Sequence, residues 1–170
     1  KNKSFTIINI AGLAVGLAVG FSILLYVVNE LTYDRFHEKS SRIYRFAASM
    51  DVQDRHLEIA QMPIPFGPAL AQEFPEIANF TRIRGAGNPV ISIGESRFEE
   101  TDVYYADPGF FRMFTVPVMH GNPDTFLDSP FKVVLTNETA EKYFGDENPV
   151  GKTLELNSSH QFTVSGVVRK

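Results

Sequence analysis

The feature that most constrains this chain is a long uncharged stretch near its beginning. From Ser4 to Asn29, 26 consecutive residues carry no charge, and most of them are Ile, Leu, Val, Ala, Gly or Phe. A helix of this length measures about 39 Å, which exceeds the ~30 Å hydrocarbon thickness of a bilayer. A buried core helix or a secretory signal peptide shares this composition. A signal core, however, is only about 7 to 15 residues long and precedes a small-x-small cleavage site, which the residues after Asn29 do not offer. The stretch therefore predicts a retained transmembrane helix.

The charged residues on either side of the stretch predict its orientation. Lys1 and Lys3 precede it, whereas Glu30 and Asp34 come before Arg35, the first basic residue after it. The positive-inside rule then predicts a cytoplasmic amino end and an extracytoplasmic remainder. That remainder holds all 20 acidic and 14 of the 16 basic residues, a net charge of −6. Such an acidic surface argues against a nucleic-acid partner.

Three glycines recur at four-residue intervals within the stretch, at Gly12, Gly16 and Gly20. This spacing places them on one face of a helix, where a second transmembrane helix can approach closely. Glycine is also frequent in membrane helices for no such reason, which is the alternative. We expect these glycines to form a packing face. Because no helix breaker occurs before Ser40 and Ser41, we also expect the helix to continue beyond the bilayer as a short stalk.

After residue 41 the pattern changes to short strands and helices, which predicts an α+β domain. Strands are predicted at residues 42–49, 57–61, 77–84, 90–93, 97–105, 131–135, 153–156 and 161–168. One helix is predicted to carry Phe66, Leu70 and Phe74, and to end before Pro75. A second is predicted with Asp107 as its N-cap. A third is predicted from Thr136 or Asn137 to Gly145. We interpret the phenylalanines at helical spacing as core residues.

One segment, from Gly145 to Thr153, resembles a phosphate-binding loop. That loop needs four residues between its glycines and a helix after it, whereas five residues separate Gly145 from Gly151 and a strand is predicted to follow. Nucleotide binding is therefore not expected here.

No other pattern indicates catalytic, cofactor or metal chemistry. The four histidines, His37, His56, His120 and His160, show no i+3 or i+4 pairing, and the chain has no cysteine. A nucleophile elbow of the Gly-x-Ser-x-Gly type is also absent from the sequence. We predict no catalytic residue, no cofactor and no metal site, and hence a protein that is not itself an enzyme.

Three segments carry a family resemblance. Residues 29–37, with the sequence NELTYDRFH, followed by RIYR at residues 42–45, resemble the juxtamembrane signature of MacB/FtsX-like ABC transporter permeases, particularly those of Bacteroidetes. Residues 110–114 with residues 121–123, and residues 133–136 through 144–153, resemble parts of the MacB-like periplasmic core domain. The resemblance covers nearly the whole chain in the expected order.

The resemblance implies a first transmembrane helix and stalk at residues 1–41 and a periplasmic core domain at residues 42–170. Within that domain it implies a porter-like strand-helix-strand subdomain at about 42–87 and a second, inserted subdomain at about 88–170. The stalk would include Glu30, Tyr33, Asp34 and Phe36. Three further transmembrane helices would follow in a complete permease of the bacterial inner membrane.

The resemblance further implies mechanical coupling of cytoplasmic ATP hydrolysis to efflux or other periplasmic work. The expected partners are a separate cytoplasmic ABC ATPase subunit, a second permease copy or half, membrane lipids, and periplasmic or outer-membrane components. A membrane-tethered sensor or ligand-binding ectodomain is the alternative, because its outline and single visible helix would be the same. An anchored periplasmic hydrolase is a third reading, but the sequence shows no convergent catalytic set for it.

Overall fold

The structure is a computed structural model that describes residues 3–33, 35–52 and 55–170. The chain divides into two compact units, Lys1–Ser41 and Arg42–Lys170. The first unit contains α1 (Lys3–Thr32), the one helix among the described residues that is long and apolar enough to cross a membrane. None of its residues is buried. An apolar helix without a packed side is typical of a membrane span, and the helix predicted from residues 4 to 29 is confirmed.

The predicted continuation of the helix towards Ser40 is wrong, because α1 ends at Thr32. Residues 33 and 35–39 lie in turns and a bend, and a short 3₁₀ helix follows at Ser40–Arg42. The Arg35 amide donates to the Thr32 carbonyl over 3.1 Å, and the Ser40 amide donates to the His37 carbonyl over 2.9 Å. These three-residue turn bonds replace the four-residue bonds that would extend an α-helix.

The second unit has an α+β fold, and the predicted fold class is confirmed. Its strands are β1 (Ala48–Val52), β2 (Arg55–Ile59), β3 (Ile83–Gly85), β4 (Val90–Ile93), β5 (Ser96–Glu99), β6 (Tyr104–Ala106), β7 (Val118–Gly121), β8 (Lys132–Thr136), β9 (Thr153–Leu156) and β10 (His160–Val168). Its helices are α2 (Phe66–Glu73), α3 (Phe110–Met113) and α4 (Asn137–Phe144). A further 3₁₀ turn occupies Pro123–Thr125.

These strands form three sheets. β1 and β2 form an antiparallel hairpin, and β3 pairs antiparallel with β6. The remaining six strands form one sheet in the order β5-β4-β9-β10-β7, with β8 parallel to β10. The nine-residue β10 organises this sheet, because its first half pairs with β9 and its second half pairs with β7 and β8.

The main core lies between this sheet and α4. It consists of Ile91, Leu135, Ala140, Leu154, Leu156, Val164 and Val167. Both ends of α4 follow the predicted signals: the Thr136 hydroxyl accepts the Thr139 amide over 3.2 Å, and Gly145 ends the helix at a φ of 63°. Tyr143 and Phe144 pack against the core from α4, whereas Phe74, predicted as a core residue, is 45% exposed.

A second packing centre surrounds Phe126, whose side chain is fully buried. Gly121 and Gly166 are paired across β7 and β10. A Cβ atom at Gly166 would lie 2.0 Å from Phe126 Cε1, and one at Gly121 would lie 2.7 Å from the same atom. The ring therefore occupies the space that two paired glycines leave open. The Phe111 ring meets it in an edge-to-face arrangement, with 4.9 Å between the two ring centroids.

Several predicted strand limits differ from the structure. The predicted 77–84 strand overlaps β3 (Ile83–Gly85) only at residues 83 and 84, and residues 42–47 precede the first strand. The predicted 97–105 strand is two strands, β5 and β6, that belong to different sheets. β7 was not predicted at all. β3 pairs with β6, and β7 pairs with β10, so these strands depend on partners that are distant in sequence. Local residue patterns do not reveal such partners.

Candidate functional site

The predicted packing face lies on α1. The three glycines Gly12, Gly16 and Gly20 are spaced four residues apart. Each interval of four residues moves the side-chain direction by about 40° around the helix axis. A Cβ atom added at any of the three would have no neighbour within 4 Å. The structure thus brings the three glycines together on one open face, and the packing of a second helix there stays a prediction.

Two hydroxyl groups on α1 are bonded within the helix. The Ser22 hydroxyl donates to the Ala18 carbonyl over 2.8 Å, and the Thr32 hydroxyl donates to the Val28 carbonyl over 2.7 Å. Bonds of this kind satisfy a polar side chain without a second helix or water. These residues therefore fit an apolar environment.

The predicted stalk residues do not form one helical surface. Glu30 belongs to the last turn of α1, Tyr33 lies in the turn after it, and Phe36 lies in the next turn with its ring 4.0 Å from the ring of His37. Tyr33 and Phe36 are 71% and 64% exposed. Asp34 lies outside the described residues. A role for these four residues in coupling stays a prediction.

An ionic clasp that the sequence did not reveal joins Arg82 to Asp107. Arg82 Nε donates to Asp107 Oδ2 over 2.7 Å, and Nη2 donates to Oδ1 over 2.8 Å. The Arg82 backbone amide also donates to Oδ2 over 2.9 Å. The guanidinium completes its contacts with a bond from Nη1 to the Ile64 carbonyl over 3.0 Å. The hydrogen bonds from Arg82 hold the pKa of Asp107 below its ordinary value despite partial burial. The clasp closes the β3–β6 pair and ties it to the segment before α2.

This clasp corrects the predicted role of Asp107 as a helix N-cap. The residue that precedes α3 is Gly109, and no side-chain bond caps that helix. The pairing of β3 with β6 accounts for the contact between Arg82 and Asp107. Ile83 lies opposite Ala106 in this antiparallel pair, so one step outward places residue 82 opposite residue 107. The clasp lines a shallow cleft of about 190 Å³, which is smaller than typical ligand pockets of roughly 300 Å³ or more.

A second polar cluster connects α4 to the segment after β5. Glu100 Oε1 accepts a hydrogen bond from Lys142 Nζ over 2.6 Å and another from the Tyr143 hydroxyl over 2.8 Å. Burial opposes ionisation of Glu100, but these two bonds outweigh it, and the pKa of Glu100 lies below its ordinary value. Burial, followed by the bond to Glu100, raises the pKa of Tyr143. Because Lys142 and Tyr143 both donate hydrogen bonds to Glu100, we interpret the cluster as a contact that holds α4 against the segment after β5.

The segment that resembles a phosphate-binding loop lacks the geometry for phosphate. α4 ends before it and β9 follows it, so no helix begins where the phosphates would lie. Lys152 pairs with Glu147, and its ammonium group lies 5.0 Å from the centre of the Phe144 ring. The lysine that would contact a nucleotide is thus engaged in contacts to its own loop.

Among residues 3–33, 35–52 and 55–170, no three His, Asp or Glu side chains converge as metal ligands would. His56 Nδ1 lies 2.8 Å from Asp51 Oδ1 across the β1–β2 hairpin, and His160 Nδ1 lies 2.8 Å from the Ser159 hydroxyl. Neither His56 nor His160 therefore belongs to a group of metal ligands among the described residues.

Comparison with known proteins assigns the family. The family model for the MacB-like periplasmic core domain matches residues 6–170. The fold is similar to a domain from Porphyromonas gingivalis whose parent protein is assigned as a permease, with 24% sequence identity, a TM-score of 0.60 and coverage of 73% of this chain and 54% of that one. No curated protein sequence matches the chain.

Two further solved structures show weaker likeness. The periplasmic region of MacB from Actinobacillus actinomycetemcomitans has 23% identity and a TM-score of 0.49, with coverage of 61% of this chain and 50% of that one. The extracellular domain of the noncanonic ABC-type transporter YknZ from Gram-positive bacteria has 19% identity and a TM-score of 0.42, with coverage of 52% and 49%. The chain spans about half the length of each of these structures. Since the family match extends over nearly all of its residues, the chain belongs to the MacB-like periplasmic core domain family.

Proposed function

We propose that this chain is the membrane anchor and periplasmic domain of an ABC transporter permease. The observation that carries the proposal is the extent of the family match, which begins at residue 6, inside the apolar helix, and continues to residue 170. The helix and the α+β domain therefore match as one unit. A supporting observation is that none of the residues of α1 is buried.

In this proposal α1 crosses the bacterial inner membrane with its amino end in the cytoplasm. A separate ABC ATPase subunit hydrolyses ATP on the cytoplasmic side, and movement of the permease helices is passed to the periplasmic domain. Efflux of a substrate, or other work in the periplasm, is the output. The chain supplies the mechanical part of this cycle and no catalytic group.

The open glycine face of α1 provides the sharpest test. Replacing Gly16 by Leu places a large side chain where a partner helix would approach, and we expect less ATPase and less permease to co-purify from membranes and to cross-link. Ala18→Leu is the matched control, because residue 18 lies about 160° around the helix from residue 16 and the substitution adds a similar volume.

Equal co-purification of the Gly16 and Ala18 variants with the ATPase would refute packing at this face. Co-purification of a signalling protein in place of an ABC ATPase would refute the permease and favour the tethered sensor.

A further inference from the structure

The charges that follow α1 are distributed unevenly along the chain. Residues 35–46, which we term the juxtamembrane segment, hold four basic residues and one acidic residue, a net charge of +3. Residues 47–170 hold ten basic and 17 acidic residues, a net charge of −7. The basic residues of the segment are Arg35, Lys39, Arg42 and Arg45. An acidic domain is therefore joined to the membrane helix through a short basic connection.

The same segment exposes aromatic rings. Phe36 is 64% exposed and Tyr44 is 79% exposed. Within the part of the chain that the structure describes, neither Arg42 nor Arg45 forms an ion pair. Exposed aromatic rings next to cations are typical of segments that lie at the membrane–water interface, where rings enter the headgroup region and cations meet phosphate.

Chain connectivity places the segment near the bilayer, because it begins three residues after the end of α1. Its positive charge is not required for orientation, since long domains cross the membrane largely regardless of their charge. The presence of four cationic residues on this side of the membrane, next to an acidic domain, is therefore not explained by orientation. Each Lys or Arg close to an anionic membrane surface strengthens binding by about 1 kcal/mol, or roughly fivefold.

We propose that the juxtamembrane segment binds the phosphate groups of anionic phospholipids in the outer leaflet of the membrane that α1 spans. The basic segment is attracted to the lipid surface, while the acidic remainder of the domain is repelled from it. Anionic lipid then determines how the beginning of the domain is held at the membrane. This inference rests on the proposed membrane span of α1, but it does not depend on the ATPase or on transport.

The experiment uses the whole chain in lipid nanodiscs, which leave both membrane surfaces accessible. The sequence contains no tryptophan, so Tyr44→Trp creates a single fluorescent reporter at an exposed position, and Phe36→Trp provides a second one. Each is measured in discs of phosphatidylcholine and in discs of equal parts phosphatidylcholine and phosphatidylglycerol. We expect a blue-shifted emission and stronger quenching by brominated lipid in the phosphatidylglycerol discs only.

Charge reversal tests whether the arginines are responsible. Arg42→Glu with Arg45→Glu is expected to abolish the difference between the two lipids, because loss of two cations alone weakens binding about 25-fold. The control, Arg97→Glu with Arg169→Glu, makes the same change in net charge at exposed positions in the rest of the domain and should preserve the difference. Salt at about 1 M, where the Debye length is about 3 Å, should also remove it.

Identical emission in the two lipids for both reporters, or equal loss in the control variant, would overturn the proposal. Failure of the chain to co-elute with discs of either lipid would refute the membrane span itself. The two failures are therefore distinguishable.

Discussion

The contact of Phe126 with Gly166 provides a quantitative test of how the large sheet is held. In Gly166→Ala the new Cβ would lie 2.0 Å from Phe126 Cε1 and 2.5 Å from Cζ. Ordinary contact begins near 3.4 Å, so the ring would have to move by more than 1 Å. It is fully buried and cannot move into solvent. Overpacking of this kind costs about 1–3 kcal/mol, partly offset by roughly 0.5–1 kcal/mol from replacing a strand glycine.

Thermal unfolding of the whole chain in detergent, followed by near-ultraviolet circular dichroism, measures this cost. For a domain of this size, a loss of 1 kcal/mol lowers the melting temperature by about 3–5 °C. Gly85→Ala is the matched control, since its Cβ would meet only the Tyr104 ring at 4.0 Å, and we expect a change within about 0.5 kcal/mol.

A double-mutant cycle separates this contact from general strand effects. Phe126→Leu alone is destabilising because it leaves a cavity, but it also removes the ring atoms that collide with Ala at position 166. The double variant should therefore be more stable than the sum of the two single changes predicts. A neutral Gly166→Ala, or simple additivity in the double variant, would refute the packing argument.

Asp107→Asn should destabilise the domain at neutral pH, because the native carboxylate has a lowered pKa and its contribution is present above the unfolded value of about 3.9. That contribution is lost as pH falls through the lower native pKa of Asp107. The free energies of unfolding of parent and variant should therefore converge at low pH. A constant difference between them at all pH values would contradict the clasp. Alkaline titration of the six tyrosines by ultraviolet absorbance should show one that ionises late, Tyr143, and Glu100→Gln should bring its pKa down towards the ordinary value. An unchanged titration would contradict the hydrogen bond. A flexible Gly/Ser insertion between Asn29 and Tyr33 should leave folding and ATP hydrolysis intact but abolish transport in the complete assembly, and normal transport would refute coupling through this connection.

Local signals in the sequence were sufficient for several elements. The uncharged run predicts α1, and Thr136 and Gly145 predict the two ends of α4, because capping depends on residues within one turn. The hairpin of β9 and β10 is also local, with Asn157 and Ser158 at positive φ in its turn. These elements were predicted nearly to their limits.

Long-range contacts account for what the sequence did not reveal. Asp107 has the residue type and position of an N-cap, yet its carboxylate is occupied by Arg82, 25 residues away. β7 forms because it pairs with the end of β10, and the paired residues Gly121 and Gly166 are 45 residues apart. The glycine face of α1 was predictable from spacing alone, whereas the clasp required the β3–β6 register.

The end of α1 at Thr32 has a consequence for the mechanical coupling proposed above. A continuous helix is a stiff rod, and twisting one end of it turns the other. Residues 33 and 35–39 instead lie in turns and a bend, which do not continue such a rod. If the proposed coupling passes through this connection, we expect it to act as a pull along the chain rather than as a torque.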